Sequence, residues 1–333
     1  MLKELRKDPI TRRWVIISKE RAKRPHEFEK TVETPINFCP FDYGNESLTP
    51  PEVLSFRNEG TKANESGWWV RVVPNKFPAL DNKIDFEKKG EGIYDKITGY
   101  GYHEVVIETP EHNTNFSKMS VNQLKEILWA YLKRFNEIKK DSSIKYIQIF
   151  KNSGKDSGAS LSHPHSQIIA TPIVPFVIQE ELEGASQYFK FKERCVYCDI
   201  IDEEIRLKQR VVYKTENFIV LEPYASRFPY ETWILPLNHS HDFSSITDEP
   251  LLINDLANVL NVFFKRFDEI LENPPFNLVL HTSPFIQGTN EYYHWHIEII
   301  PRISNIAGFE WGTGFHINSV LPEFAAKELK KDL

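Results

Sequence analysis

Apolar positions in this chain follow two spacings, and each spacing is used twice in the same order. Across 121–139, Leu124, Ile127, Leu128, Tyr131, Leu132, Phe135 and Ile138 fall at steps of three and four. Such a stripe predicts a helix that buries one face. The text returns downstream, where Lys133-Arg134-Phe135-Asn136-Glu137-Ile138 is answered by Lys265-Arg266-Phe267-Asp268-Glu269-Ile270. Short runs of β-branched and aromatic residues predict strands at 14–18, 68–73, 102–108, 144–150, 168–172, 218–221, 232–235 and 277–280.

The landmarks between these elements repeat as well. In the first half a strand ends at His112, the helix follows, and a second strand leads to Ser162-His163-Pro164-His165-Ser166-Gln167. In the second half a strand ends at His239, the helix returns, and the next strand leads to Tyr293-His294-Trp295-His296. Agreement of so many landmarks in one order predicts a tandem duplication. The expected architecture is α+β, with a first unit at 1–175, a second at 176–333, and the join near 172–190. Each unit is expected to be a mainly antiparallel sheet with one long helix across it.

Composition narrows the class. A chain of 333 residues exceeds what one core usually fills, which agrees with two units. A formal charge of −6 argues against nucleic acid as partner. Cys39, Cys195 and Cys198 are too few for a disulfide framework. No apolar run is long enough to span a membrane, and Met1-Leu2-Lys3-Glu4 begins no signal peptide, so a cytoplasmic home is expected.

Candidate chemistry gathers at the histidine pairs. The small and polar run from Asn152 to Ser160 suits backbone that approaches an anion closely. A histidine beside such a cradle is a candidate nucleophile toward phosphorus. The two rings of each pair are expected on opposite faces of a strand, the first toward a metal and the second toward a cleft. By the repeat, Cys195, Cys198, His239 and His294 form a set suited to tetrahedral zinc. Their counterparts are Cys39, Asp42, His112 and His163, with aspartate where a second cysteine would stand. One to two zinc ions per chain are expected. Tyr292, Tyr293 and Trp295 crowd the second pair, which predicts a structural role for His296. The basic cluster at Arg21 and Arg24 reads as a solvated patch or as a phosphate or partner contact.

Taken nearly end to end, the chain resembles the galactose-1-phosphate uridylyltransferase branch of the histidine-triad superfamily, in which two such domains are fused. Arg21-Ala22-Lys23-Arg24-Pro25 is similar to its N-terminal basic motif, and Val70-Arg71-Val72 with Asn75 and Phe77 to its uridine-binding segment. The resemblance implies that Asn152, Gly158, Ser160 and Gln167 hold the α-phosphate, and that His165 is the nucleophile. It implies a hexose-binding segment at 308–314, including Phe309 and Glu310, that reaches into the partner subunit of a homodimer. Three positions depart from the pattern: Ser166 replaces glycine, Lys76 an aspartate, and Asp42 a cysteine. Some members hold iron in the second half, which here would fall to Glu181, His281, His294 and His296. The intact Cys195/Cys198 pair instead resembles relatives with two zinc sites, including plant-type ADP-glucose phosphorylase. The implied reaction is exchange of UMP between UDP-glucose and galactose 1-phosphate through a uridylyl-histidine. Adenylyl transfer from ADP-glucose to phosphate and a histidine-triad hydrolase or sensor are the alternatives.

Overall fold

A computed structural model describes residues 3–19 and 38–330, so Arg21 and Arg24 lie outside the described residues. The predicted helix is α1 (Val121–Ile138), and its counterpart is α4 (Pro250–Leu271). Ser120 starts α1 by accepting the Gln123 N–H on its hydroxyl at 3.1 Å, which satisfies one of the free donors of the first turn. Pro250 opens α4, where a missing N–H costs nothing.

The first half supplies β3 (Leu54–Arg57), β4 (Trp68–Pro74), β7 (Tyr102–Ile107), β8 (Tyr146–Ser153) and β9 (His165–Thr171). The second supplies β10 (Val211–Lys214), β11 (Phe218–Leu221), β12 (Thr232–Pro236), β13 (Phe276–His281) and β14 (His296–Pro301). These form one ten-stranded sheet in the order β10-β11-β12-β14-β13-β8-β9-β7-β4-β3. All pairings are antiparallel, and the order reads the same outward from its centre in repeat-equivalent strands. The halves are therefore not separate sheets. They are zipped at β8 and β13, where Asn152 faces Asn277 and Phe150 faces Val279.

Both long helices lie on one face of this sheet and pack on each other. A single apolar layer runs through both halves, from Val70, Ile147 and Ile168 to Ile234, Leu278 and Ile297. Aromatic rings cross the join, with Phe116 and Phe264 at 5.2 Å and Phe135 and Phe243 at 6.2 Å. Each buried phenylalanine contributes roughly 1.5–3 kcal/mol of burial, so the join is part of the core.

The other face differs between the halves. A small sheet of β1 (Lys3–Lys7), β2 (Trp14–Ser18) and β15 (His316–Asn318) lies apart from the main one. The turn after β1, with α2 (Phe176–Lys192) and α3 (Val196–Leu207), covers the second half through Ile10, Ala185, Val196, Tyr197 and Ile201. Gly184 allows that closure, because a methyl there would overlap the Ile10 carbonyl oxygen. Gly184→Ala should therefore lower stability by about 1–3 kcal/mol, measured as a fall in the urea unfolding midpoint. A hairpin of β5 (Lys88–Glu91) and β6 (Tyr94–Ile97), the short helix α5 (Gly308–Thr313) and α6 (Pro322–Lys330) complete the described chain.

Candidate active site and metal groups

Side chains alternate across a strand, so β9 places Ser166, Ile168 and Ala170 toward the helices and His165 and Gln167 on the opposite face. The expectation that strand alternation separates His163 from His165 does not hold. Residues two apart on a strand share a face. The two rings part because β9 begins only at His165, with His163 and Pro164 ahead of it.

His163 turns its Nε2 to the Thr109 carbonyl at 2.7 Å. A carbonyl only accepts, so the proton sits on Nε2 and Nδ1 carries a lone pair. That lone pair lies 3.0 Å from Asp42 Oδ1, and His112 Nδ1 lies 2.9 Å from the same oxygen. The second half repeats this construction. His294 Nε2 donates to the Pro236 carbonyl at 3.0 Å and His239 Nε2 to the Asn290 carbonyl at 2.8 Å. Their Nδ1 atoms then face Cys198 Sγ at 3.8 and 3.4 Å. A tetrahedron with zinc–ligand bonds of about 2.0–2.3 Å has edges of about 3.3–3.8 Å. Cys195, Cys198, His239 and His294 form one group of converging ligand atoms, and Cys39, Asp42, His112 and His163 form another. Lone pairs that converge behind carbonyl-anchored rings fit a cation. The hydrogen bond from the Cys198 thiol outweighs burial and holds the Cys195 thiol down to about 3, and the same bond, with burial and the charge on Cys195, pushes Cys198 up. A thiolate is the ligand form of cysteine. In the first half, burial raises the Cys39 thiol. Burial also acts to raise the Asp42 carboxyl, but the neighbouring His112 and His163 rings outweigh it and hold the group low.

His165 is almost fully buried, and its Nδ1 donates to the His163 carbonyl at 2.8 Å. The lone pair of the neutral ring is thus on Nε2. Burial lowers the affinity of this ring for a second proton, against the opposing pull of the His163 carbonyl. The edge of Phe41 closes one side at 5.5 Å. Asn152 lies on β8 on the same face as Phe150, the cross-strand neighbour of Gln167. Its Oδ1 accepts from Asn277 Nδ2 at 2.8 Å, and Asn277 also donates to the Ser157 carbonyl at 2.9 Å. The second half thereby orients a residue of the first. The cradle after Asn152 turns through Gly154 and Gly158, at φ of 81° and 88°. That left-handed region favours glycine, and at Gly154 an added Cβ would also lie 2.9 Å from Pro275. Ser160 is exposed at the end of this cradle.

Arg71 shares the sheet face of His165, in register with it through Ile107. Arg71 is buried and bound to Glu52 and the Thr49 hydroxyl, both at 2.8 Å, and Val70 and Val72 lie in the core. Of the nucleoside segment, Asn75 and Phe77 remain accessible, and Phe77 is 82 % exposed. Lys76 points to the Leu48 carbonyl. Phe309 and Glu310 sit on α5, and among the described residues no hydrogen bond or ring contact joins them to His165 or Gln167. Behind the histidine strand, Lys151 binds Glu108 at 2.6 Å and the His165 carbonyl at 3.2 Å. The same Glu108 accepts the Ser166 hydroxyl, and Tyr131 joins it. No motif marks Glu108, Lys151, Asn277 or His103, which reach the site from scattered strands. The available signal was a polar residue within an otherwise apolar strand.

The iron set read from the sequence is not assembled, because His294 turns to the cysteine pair. Glu298 takes its place in a buried group with Glu181, His281 and His296. Arg227 enters that group and binds Glu298 at 2.6 Å. His296 stacks on His281 at 4.8 Å and is enclosed by Tyr197 and Trp233, each at 5.3 Å. Trp295 does not crowd this pair, since it faces the helix side against Phe243 at 5.4 Å. Burial disfavours the charged His281, but Glu181 and Glu298 overcome it and raise the ring to about 9. A folded value above the ordinary 6.5 gives stability that is complete below pH 6.5 and lost as pH rises through about 9. The unfolding free energy by which wild type exceeds His281→Gln should therefore shrink through that window, by an amount on the order of 3 kcal/mol, read from urea curves of both proteins at each pH.

Fold and site define a tandem histidine-triad protein, two repeats fused in one sheet. The model for the N-terminal domain of galactose-1-phosphate uridyl transferase matches residues 1–175, and that for its C-terminal domain matches residues 181–331. The chain belongs to the galactose-1-phosphate uridylyltransferase family. It is 38% identical over 336 residues to the ADP-glucose phosphorylase of Arabidopsis thaliana, covering 98% of this chain and 92% of the relative. It is 30% identical over 339 residues to the galactose-1-phosphate uridylyltransferase of Thermotoga maritima, covering 98% of each. The crystal structure of an ADP-glucose phosphorylase from Arabidopsis thaliana with bound ADP-glucose superposes with a TM-score of 0.84 at 36% identity, covering all of both chains. A uridylyltransferase structure gives 0.76 at 29% identity, covering 99% of this chain and 97% of the other. No helix among the described residues is long and apolar enough to cross a membrane.

Proposed function

We propose that this chain is a double-displacement nucleotidyltransferase with His165 as nucleophile, exchanging UMP between UDP-glucose and galactose 1-phosphate. The observation that carries the reading is the fixed tautomer of His165, whose Nδ1–H is held by the His163 carbonyl so that Nε2 is free to attack. Nε2 forms a bond to the α-phosphorus while the bond to the bridging oxygen breaks, and glucose 1-phosphate leaves with that oxygen and its electron pair. A phosphate oxygen of galactose 1-phosphate then attacks the uridylyl-histidine and releases Nε2. Gln167, the Ser160 hydroxyl and backbone donors near Gly158 act on the equatorial oxygens, where charge is stabilised in such transfers. The first repeat, 1–175, carries this reaction, and the second, 176–333, is structural. Zinc bound by each Cys/His group would fix the strand that aims its neighbouring histidine. The exposed α5, with Phe309 and Glu310, serves the hexose site of the partner in a homodimer, and the enzyme works in the cytoplasm.

A second reading, adenylyl transfer from ADP-glucose to phosphate, is favoured by the 38% identity to a protein of that activity. One experiment separates them. The metal-loaded protein is incubated with one nucleotide sugar and its intact mass is read at neutral or alkaline pH, where a phosphoramidate persists. UDP-glucose should add one uridylyl group that galactose 1-phosphate removes as UDP-galactose. Labelling by ADP-glucose with release by phosphate selects the second reading. Nucleoside monophosphate accumulating with no acceptor makes the protein a hydrolase, and no label with any nucleotide sugar removes His165 as nucleophile.

A further inference from the structure

His103 belongs to no motif, yet its ring stands between the nucleoside segment and the strand that carries His165. It lies on β7 on the same face as Val105, the cross-strand neighbour of Gln167. Its Nδ1 accepts the Ala79 N–H at 3.0 Å. A ring nitrogen that accepts has no proton, so the neutral ring carries its proton on Nε2. Gln167 Oε1 is 2.8 Å from that nitrogen, and the bond therefore runs from His103 to the glutamine oxygen. Asn75 Nδ2 is 3.1 Å from the same nitrogen, with its Oδ1 already taken by the Phe77 N–H at 2.9 Å. Asn75 thus turns its NH2 end toward a nitrogen that is itself protonated, so the two make no hydrogen bond, and Asn75 offers no acceptor that would draw the ring proton away from Gln167.

The consequence falls on Gln167. An amide has a donor end and an acceptor end of nearly the same shape, and only its partners decide which way it faces. With Oε1 bound by His103, the NH2 group is the end left for a ligand. In the flipped orientation the oxygen would face the phosphoryl oxygens and repel them. We propose that His103 is a positioning residue that fixes Gln167 with its NH2 toward the transferring phosphoryl group. The same ring ties that orientation to the 75–79 segment beside the nucleoside. The role of the NH2 group rests on the nucleotidyl-transfer reading, whereas the tautomer and the amide orientation do not.

The test has two arms. In the first, His103→Phe removes the donor and His103→Gln restores an amide N–H near the place of Nε2. His103→Phe should lower kcat for transfer about 10- to 100-fold, with KM for the nucleotide sugar within about two-fold of wild type and an unchanged unfolding midpoint. His103→Gln should recover most of that kcat. An unchanged kcat in His103→Phe, equal losses in both variants, or a change confined to KM would overturn the proposal. In the second arm, ring 15N chemical shifts of His103 in the wild-type protein report the tautomer without any turnover. Protonated Nε2 with unprotonated Nδ1 is the expected result, and the opposite tautomer overturns the assignment. Should the wild-type protein transfer no nucleotidyl group, the functional reading falls while this second arm still decides what His103 holds.

Discussion

Replacing His165 with asparagine should leave a folded protein whose nucleotidyl transfer has dropped on the order of 10⁴-fold or more. The asparagine side chain can still donate to the His163 carbonyl, as Nδ1 does at 2.8 Å. It has no counterpart to the Nε2 lone pair, and its amide nitrogen is not a nucleophile. The loss should therefore lie in chemistry, with metal content, circular dichroism and unfolding midpoint close to wild type. Intact mass after incubation with UDP-glucose or ADP-glucose should show no adduct. The equivalent change in the other half should behave differently, because His296 is 1 % exposed and enclosed by Tyr197, Trp233 and His281. His296→Asn should keep transfer and lose about 1–3 kcal/mol of stability. A folded His296→Asn protein without any transfer would show that the two repeats have been given each other's roles.

The second large effect is expected from the cysteine pair. Cys195 and Cys198 lie at the start of α3, which covers the second half of the sheet. Replacing both by serine removes the thiolates and leaves two Nδ1 lone pairs facing hydroxyls. Metal per chain should fall by one, and the apparent binding energy of a structural zinc site, about 10–16 kcal/mol in small peptides, sets the scale. Even a fraction of it is large beside the roughly 5–15 kcal/mol that holds a domain folded. The double variant should therefore be insoluble or unfold well below wild type, while Asp42→Ala should cost much less. Elemental analysis of the wild-type protein should give between one and two zinc per chain. Asp42→Cys should slow loss of the first-half metal to a chelator. Iron in excess of zinc would overturn the assignment of the metal.

Much of this molecule was legible in one dimension because its determinants are local. The stripe from Leu124 to Ile138 lies buried along α1 as its spacing requires. The repeated landmarks pointed to the ligand groups, since a duplication keeps equivalent residues in order. The sequence also marked the small-residue cradle and the histidine beside it. Three things needed the folded chain. The zipping of β8 to β13, and with it the bond from Asn277 to Asn152, is a pairing of strands over a hundred residues apart that no local pattern encodes. The contrast between His165 and His296 could be suspected from bulky neighbours, but the covering atoms come from α3, β12 and the turn after β1, not from Trp295. The tautomers of His103, His163 and His165 depend on which backbone group each ring nitrogen meets, and those groups include Ala79 and Thr109, far along the chain. Residue types and their order follow from periodicity and duplication, while proton positions and access follow from contacts that only tertiary packing creates.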